Sequence, residues 1–247
     1  IKRYQGFHNW LYTVLPENLS LELQESSWYR QSMESYAQTL GPFLAAFTMD
    51  EDDGQEINFF GMPFSFISAE KYVMGLPKSS AVEINTVYNI LPHFVSIGNF
   101  YILQREVTTA DYARFISEIP KWAPDNKAAL IDDGLVGETY LKDWQSTKDG
   151  DLPLVNVSWY AASAYAEWLD TKLPASFEDW EIRLPRASEW ELAAKKDQSV
   201  KLENNFLQYG ADEILPALSF RSGRIGLKNM MGNAWEWCYD SYFPARY

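Results

Sequence analysis

Apolar residues recur along this chain at two spacings, and each spacing predicts one kind of element. Residues 59–75 and 92–108 alternate apolar and polar side chains over short spans, which is typical of half-buried strands. Three later stretches place apolar residues three or four positions apart, as one face of a helix does. The pattern therefore predicts an α+β protein with short strands, three compact helices and much irregular structure.

Each predicted helix carries a start signal. The first follows Thr108, and Asp111 three residues later completes a capping-box pattern. The second is predicted to start at Ser158, and the third lies in residues 183–196 with Pro185 near its first turn. The predicted buried faces of the first two helices consist of Tyr112, Phe115 and Ile116, and of Ala161, Tyr165, Trp168 and Leu169. Residues 121–151 are mainly polar with apolar residues interspersed, and they are expected to form an elaborated loop region.

Residues 1–60 differ in character from the rest and are predicted to be an N-terminal helical arm. A helix is expected over residues 25–47, with a kink or an end at the Gly41-Pro42 pair. Its apolar stripe consists of Trp28, Met33, Tyr36, Leu40, Phe43 and Leu44. The arm is expected to pack on a main domain of residues 61–247; a free-standing binding helix is the alternative.

Composition and charge narrow the classes of partner. The net charge of -13 disfavours binding to nucleic acid or to an anionic membrane surface. No run of eighteen apolar residues is present, so membrane insertion is not expected. One cysteine and two histidines are too few for a multi-cysteine zinc site or for most histidine-based metal centres.

Four stretches, taken in order, resemble the formylglycine-generating enzyme family, also called the sulfatase-modifying factor family. They are YVMG at 72–75, FYILQREVTTADYARFI at 100–116, LPLVNVSWYAASAYAEWLDTKL with IRLPRASEWELAAKK at 152–173 and 182–196, and GLKNMMGNAWEWCYDSYF at 226–243. The resemblance implies a C-type-lectin-like α+β fold stabilised by bound calcium. It also favours an extracytoplasmic location.

The last of these stretches resembles a calcium site of the family. The resemblance implies four ligands: the side-chain oxygen of Asn229, the backbone carbonyls of Gly232 and Ala234, and the carboxylate of Glu236. Calcium prefers such oxygen ligands, and an extended backbone would turn residues 232, 234 and 236 to the same side. The ion is expected to hold Trp235 and Trp237 in the core. The alternative is that Asn229 and Glu236 satisfy ordinary turn and core hydrogen bonds around these tryptophans.

The resemblance leaves two hypotheses for function. The oxidase chemistry of the family depends on two copper-binding cysteines in a C-terminal segment. Cys238 lies instead in the tryptophan motif, the stretch 226–243 that contains Trp235 and Trp237, and therefore inherits no catalytic role. The first hypothesis is therefore a non-catalytic, calcium-stabilised, lectin-like module that binds a protein, peptide or glycan partner, with no copper expected. The alternative is a formylglycine-generating-type oxidase whose cysteine-bearing C-terminal segment is missing from this chain.

Overall fold

The computed structural model describes residues 52–74, 93–142, 144, 150–197, 214–219, 221–230 and 232–241. Within these ranges the chain forms five β-strands and four α-helices joined by long irregular segments. This is the predicted α+β class. The predicted helix over residues 25–47 lies outside the described residues.

Both alternating stretches form short antiparallel strands. The first holds β1 (Glu56–Phe59), β2 (Met62–Ile67) and β3 (Glu70–Met74), and the second holds β4 (His93–Ile97) and β5 (Phe100–Leu103). The strands form a sheet of order β1-β2-β5 and a separate β3-β4 pair.

The predicted boundary between residues 60 and 61 falls in the turn between β1 and β2, so the hairpin joins residues on both sides of it. Both turn residues have positive φ, 53° at Phe60 and 77° at Gly61, as a type I′ hairpin turn requires. A long aromatic residue rarely adopts this conformation. Here Arg114 donates a hydrogen bond of 2.9 Å to the Phe60 carbonyl, and the Phe60 ring packs edge-on against Trp168. The hairpin is thereby attached to the helices.

The predicted helix starts are confirmed. Helix α1 (Thr109–Glu118) begins after Thr108 with the expected capping box, and α3 (Trp159–Asp170) begins after Ser158. Helix α4 (Ala187–Lys196) follows Arg186 and lies within the predicted residues 183–196, with Pro185 two residues before its first residue. The region expected to be a loop contains a further helix, α2 (Lys127–Asp132), which is too short to show a helical period.

Two apolar clusters hold these elements together. The first joins α1, α3 and the β1-β2 hairpin, and it contains Tyr112, Phe115, Tyr165 and Trp168. The second packs α4 against the β3-β4 pair and includes Ile225 and Leu227 from the C-terminal segment. Because Ile225 and Leu227 are buried, the segment that begins at residue 228 leaves the core from an anchored position.

Candidate functional site

The predicted calcium segment lies against the residues that connect β5 to α1. The backbone N–H of Lys228 donates a hydrogen bond of 2.8 Å to the carbonyl of Gln104. This contact places Asn229 beside Glu106, a buried glutamate two residues before the N-cap of α1. Two segments that are far apart in the chain therefore meet at one point.

Glu106 binds two asparagine side chains at once. The Nδ2 of Asn229 donates to its Oε2 at 2.8 Å, and the Nδ2 of Asn233 donates to its Oε1 at 3.1 Å. Both asparagines have left-handed backbones, with φ of 57° and 65°, a conformation that asparagine tolerates better than most residues. The Glu106 carboxylate thus holds Asn229 and Asn233 against the end of β5.

The two asparagines differ at their side-chain oxygens. The Oδ1 of Asn233 accepts a hydrogen bond of 3.0 Å from the N–H of Leu215. The Oδ1 of Asn229 is buried and has no hydrogen-bond partner among the described residues. Buried polar atoms normally have a partner, so this oxygen is suited to an external donor or a cation.

Glu236 adds a second carboxylate to the same site. Its Oε2 accepts a hydrogen bond of 2.7 Å from the indole N–H of Trp190 on α4. Burial, together with the negative charge of Glu236, raises the pKa of Glu106 to about 7. The negative charge of Glu236 therefore lies close enough to Glu106 to disfavour the ionised form of the Glu106 carboxyl.

Two of the predicted ligands, Asn229 and Glu236, thus both lie beside Glu106. The Gly232 carbonyl, a third predicted ligand, accepts a hydrogen bond of 2.9 Å from the Ala234 N–H and keeps a second lone pair. The described residues contain no group of three or more His, Cys, Asp or Glu side chains that could hold a metal. The predicted set does not depend on such a group, because it uses one carboxylate and three neutral oxygens.

Sequence reasoning missed Glu106. The residue stands just before a capping box, where an acidic side chain looks like an ordinary surface residue. Its sequence neighbours gave no signal of burial, because Gln104, Arg105 and Glu106 form a run of three polar residues between Leu103 and Val107. Its partners could not be identified, because Asn229 is 123 residues away in the chain.

The expectation that Trp235 and Trp237 lie in the core is wrong. Their side chains are 42% and 40% exposed, respectively. From residue 234 to residue 239 the side chains alternate between partly buried and exposed, with Glu236 on the inner side. An extended backbone turns neighbours to opposite sides, so a segment that turns Glu236 inward must turn both tryptophans outward.

The exposed tryptophans border a cavity of about 500 Å³. Its wall includes eleven aromatic side chains, among them Trp180, Trp190, Trp235 and Trp237, and it also includes Glu106 and Glu236. Trp237 is anchored, because its indole N–H donates to the carbonyl of Val157 at 2.9 Å. The carboxylates of Glu106 and Glu236 therefore form part of the wall of an aromatic cavity, which sequence reasoning did not predict.

Charged groups are distributed unevenly around this cavity. Arg183 donates two hydrogen bonds to Glu189, at 2.8 and 2.7 Å, so its charge is largely compensated. Asp179 and Glu181 stand on either side of the exposed Trp180, and all three line the cavity. Glu181 Oε1 is itself paired with Arg183 Nε at 2.8 Å, so its charge is partly compensated. The cavity wall around Trp180 is therefore aromatic, with Asp179 as a neighbouring acidic group.

Comparison with known proteins identifies a family that matches most of this chain and a solved structure with a similar fold. Residues 66–247 match the family model of the sulfatase-modifying factor enzyme 1-like domain. The structure of PvdO from Pseudomonas aeruginosa is similar, with a TM-score of 0.55 and 18% identity over 79% of this chain and 77% of that chain. At this identity the similarity shows a common fold. No helix among the described residues has the length and apolarity needed to cross a membrane.

Several proteins with different names are similar to this chain in sequence. An uncharacterised protein of Borreliella burgdorferi is 27% identical over 91% of this chain and 44% of its own length. The serine/threonine-protein kinase Pkn1 of Chlamydia trachomatis is 28% identical over 61% of this chain and 24% of its own length. The inactive C-alpha-formylglycine-generating enzyme 2 of Mus musculus is 30% identical over 38% of this chain and 34% of its own length. The chain thus spans less than half the length of each of these relatives.

Proposed function

Because the chain belongs to the family of the sulfatase-modifying factor enzyme 1-like domain, we propose that it is a non-catalytic, calcium-stabilised, lectin-like member that binds a protein, peptide or glycan partner. The observation that carries the proposal is the cavity of about 500 Å³ with Trp180, Trp235 and Trp237 half-exposed on its wall. Indole rings offer a large contact area for peptide side chains and sugar faces.

The charges around the cavity favour some partners over others. Asp179 is exposed beside Trp180 and lines the cavity, and the net charge of the chain is -13. An acidic partner would be repelled, whereas a neutral glycan or a basic peptide would not. An indole beside carboxylates also attracts cationic side chains.

Binding is tested with the 247-residue chain on peptide and glycan arrays, followed by calorimetric titration of the ligands found. Trp180→Ala and Trp235→Ala are each expected to weaken binding about tenfold or more, which corresponds to about 1.4 kcal/mol. Phe94→Ala is the control, because Phe94 is 71% exposed and is not among the residues that line the cavity. If the tryptophan variants bind as well as the wild type, the cavity is not the binding site.

Calcium is proposed as the stabilising ion of this module. The buried Asn229 Oδ1 without a partner among the described residues and the nearby Glu236 carboxylate are the kinds of oxygen that calcium takes. Gly232 and Ala234 would add backbone carbonyl oxygens. When bound, the ion supplies positive charge that connects Asn229 to Glu236, and its role is structural.

The alternative is a formylglycine-generating-type oxidase, which the match to the family favours. Cys238 is the single cysteine of this chain, and its sequence position is inside the tryptophan motif. A copper site built from two thiolates needs a second cysteine. We therefore expect the 247-residue chain to form no formylglycine on a cysteine-containing sulfatase peptide supplied with copper and oxygen.

Mass spectrometry of the peptide measures this reaction, and a formylglycine-generating enzyme serves as the positive control. Turnover by the 247-residue chain would overturn the non-catalytic proposal and support the oxidase.

A further inference from the structure

The side-chain amide of Asn229 has two possible orientations, and Glu106 decides between them. In the observed orientation Nδ2 donates to Glu106 Oε2 at 2.8 Å and to the carbonyl of Ala217 at 3.1 Å. A flipped amide would place Oδ1 against two acceptors, a carboxylate oxygen and a carbonyl oxygen, and would lose both hydrogen bonds. Oδ1 is consequently turned away from Glu106, toward the buried position where it has no partner among the described residues.

Asn233 shows what a fully satisfied amide looks like at the same carboxylate. Its Nδ2 donates to Glu106 Oε1 and to the Leu215 carbonyl, while its Oδ1 accepts from the Leu215 N–H. The same carboxylate thus holds one amide with a satisfied oxygen and one, that of Asn229, with an unsatisfied oxygen. This difference indicates that Asn229 Oδ1 is available to bind a partner outside the described residues.

We propose that Glu106 is a positioning residue, whose carboxylate orients the Asn229 amide so that Oδ1 faces a bound cation. The inference rests on the proposed calcium site and adds to it a residue that does not itself have to touch the ion. Partners that orient a metal ligand in this way typically change metal affinity by about 10- to 100-fold when they are replaced.

Terbium is the probe, because it takes the same oxygen ligands as calcium and emits when a nearby indole transfers energy to it. Trp190 donates to Glu236 at 2.7 Å, so a terbium ion bound by Glu236 would lie close to an indole. Titration of the 247-residue chain with terbium, followed by competition with calcium, measures both affinities. Glu106→Gln is expected to weaken binding by about 10- to 100-fold.

The control is the same substitution at a second buried glutamate. Glu189 and Glu106 are both 6% exposed, but Glu189 is bound by Arg183 and does not contact Asn229. Glu189→Gln is expected to change the melting temperature and to leave terbium affinity within about twofold of the wild type. A loss of affinity in both variants would show a general effect of losing a buried charge, and would overturn the positioning role.

A rescue variant separates positioning from general damage. In the double variant Glu106→Gln/Asn229→Asp, donor and acceptor exchange places: the introduced amide nitrogen donates to the introduced carboxylate. The total charge of the pair is unchanged and an oxygen still faces the cation, whereas the hydrogen bond to the Ala217 carbonyl is lost. The double variant is therefore expected to regain part of the affinity lost in Glu106→Gln, and Asn229→Asp alone is the control for the added charge of the ligand.

Three further results would contradict the inference. Wild-type affinity in the Glu106→Gln variant would overturn the positioning role and leave the calcium site intact. A folded double variant that binds terbium no better than the Glu106→Gln variant would overturn it in the same way. If the wild type gives no sensitised terbium emission, the calcium site itself is overturned, and the role of Glu106 with it.

Discussion

Glu236 is the carboxylate on which the proposed calcium site depends. Calcium at a hundredfold excess over its dissociation constant would stabilise the folded chain by about 2.7 kcal/mol. At about 2 to 4 °C per kcal/mol for a chain of this size, a chelator should lower the melting temperature by several degrees. Glu236→Gln should remove most of this calcium dependence, because it keeps the shape of the side chain and removes its charge.

Asn229→Ala should act in the same direction but more weakly, since it removes a neutral ligand. Differential scanning fluorimetry with calcium or chelator measures both effects. If the chelator leaves the wild-type melting temperature unchanged, Asn229 and Glu236 are ordinary hydrogen-bonding residues.

Asp197, at the end of α4, is expected to make stability depend on pH. Its Oδ1 accepts a hydrogen bond of 2.9 Å from the N–H of Ile225, and burial raises its pKa to about 7. The folded state therefore binds a proton more tightly than the unfolded state does. This contribution to stability is fully present below the usual carboxyl pKa of about 4 and is lost as the pH rises through about 7.

Asp197→Asn should flatten this dependence, because the amide does not titrate. Urea unfolding between pH 4 and 8 should show the wild type losing stability relative to the variant as the pH rises. One proton accounts for at most about 1.4 kcal/mol per pH unit. Parallel curves for the two proteins would show that Asp197 is not the titrating group.

At the scale of the element, the last turn of α4 shows how packing overrides a sequence signal. Two consecutive lysines at the end of a helix are typical of solvent-exposed residues that interact with the helix dipole. Lys195 and Lys196 are instead buried, each with 2% of its surface exposed. Lys196 Nζ binds Asp53 at 2.6 Å and Glu70 at 3.1 Å. The helix end is thereby connected to the start of the described chain.

Lys196→Met should destabilise the fold strongly, by about 3 to 5 kcal/mol, since it leaves the buried Asp53 carboxylate without its cation. Chemical unfolding measures this change. Adding Asp53→Asn should recover much of the loss, because the uncompensated charge is removed. Lys172→Met, which breaks an exposed pair with Glu118, is the control and should cost less than about 1 kcal/mol. Equal losses in both lysine variants would argue against a special role for burial.

At the scale of the whole molecule, the predicted N-terminal arm can be tested by deletion. The cut belongs after residue 50, because β1 pairs with β2 and Asp53 binds Lys196. If the stripe that begins at Trp28 packs on the main domain, the deletion should lower the melting temperature, since each large apolar side chain is worth about 1.5 to 3 kcal/mol on burial. A truncated chain with an unchanged melting temperature would show that the arm is independent of the domain.

Features that depend on near neighbours could be predicted from the sequence. The capping box of Thr108 and Asp111 lies within four residues, and the buried face of α3 repeats within one or two turns. The strand segments likewise followed from alternation. The short helix α2 could not be predicted, because it buries one side chain, Leu130, and has no period to detect.

The sequence by itself determined the class of the fold, the starts of the principal helices and the segment that holds Asn229 and Glu236. Tertiary structure decided the rest of the candidate site. Glu106 meets Asn229 across 123 residues of chain, and the outward direction of Trp235 follows from which side of its segment faces the interior. The physical reason is distance along the chain: caps and periods act over a few residues, whereas burial and cavity walls depend on segments that only folding brings together.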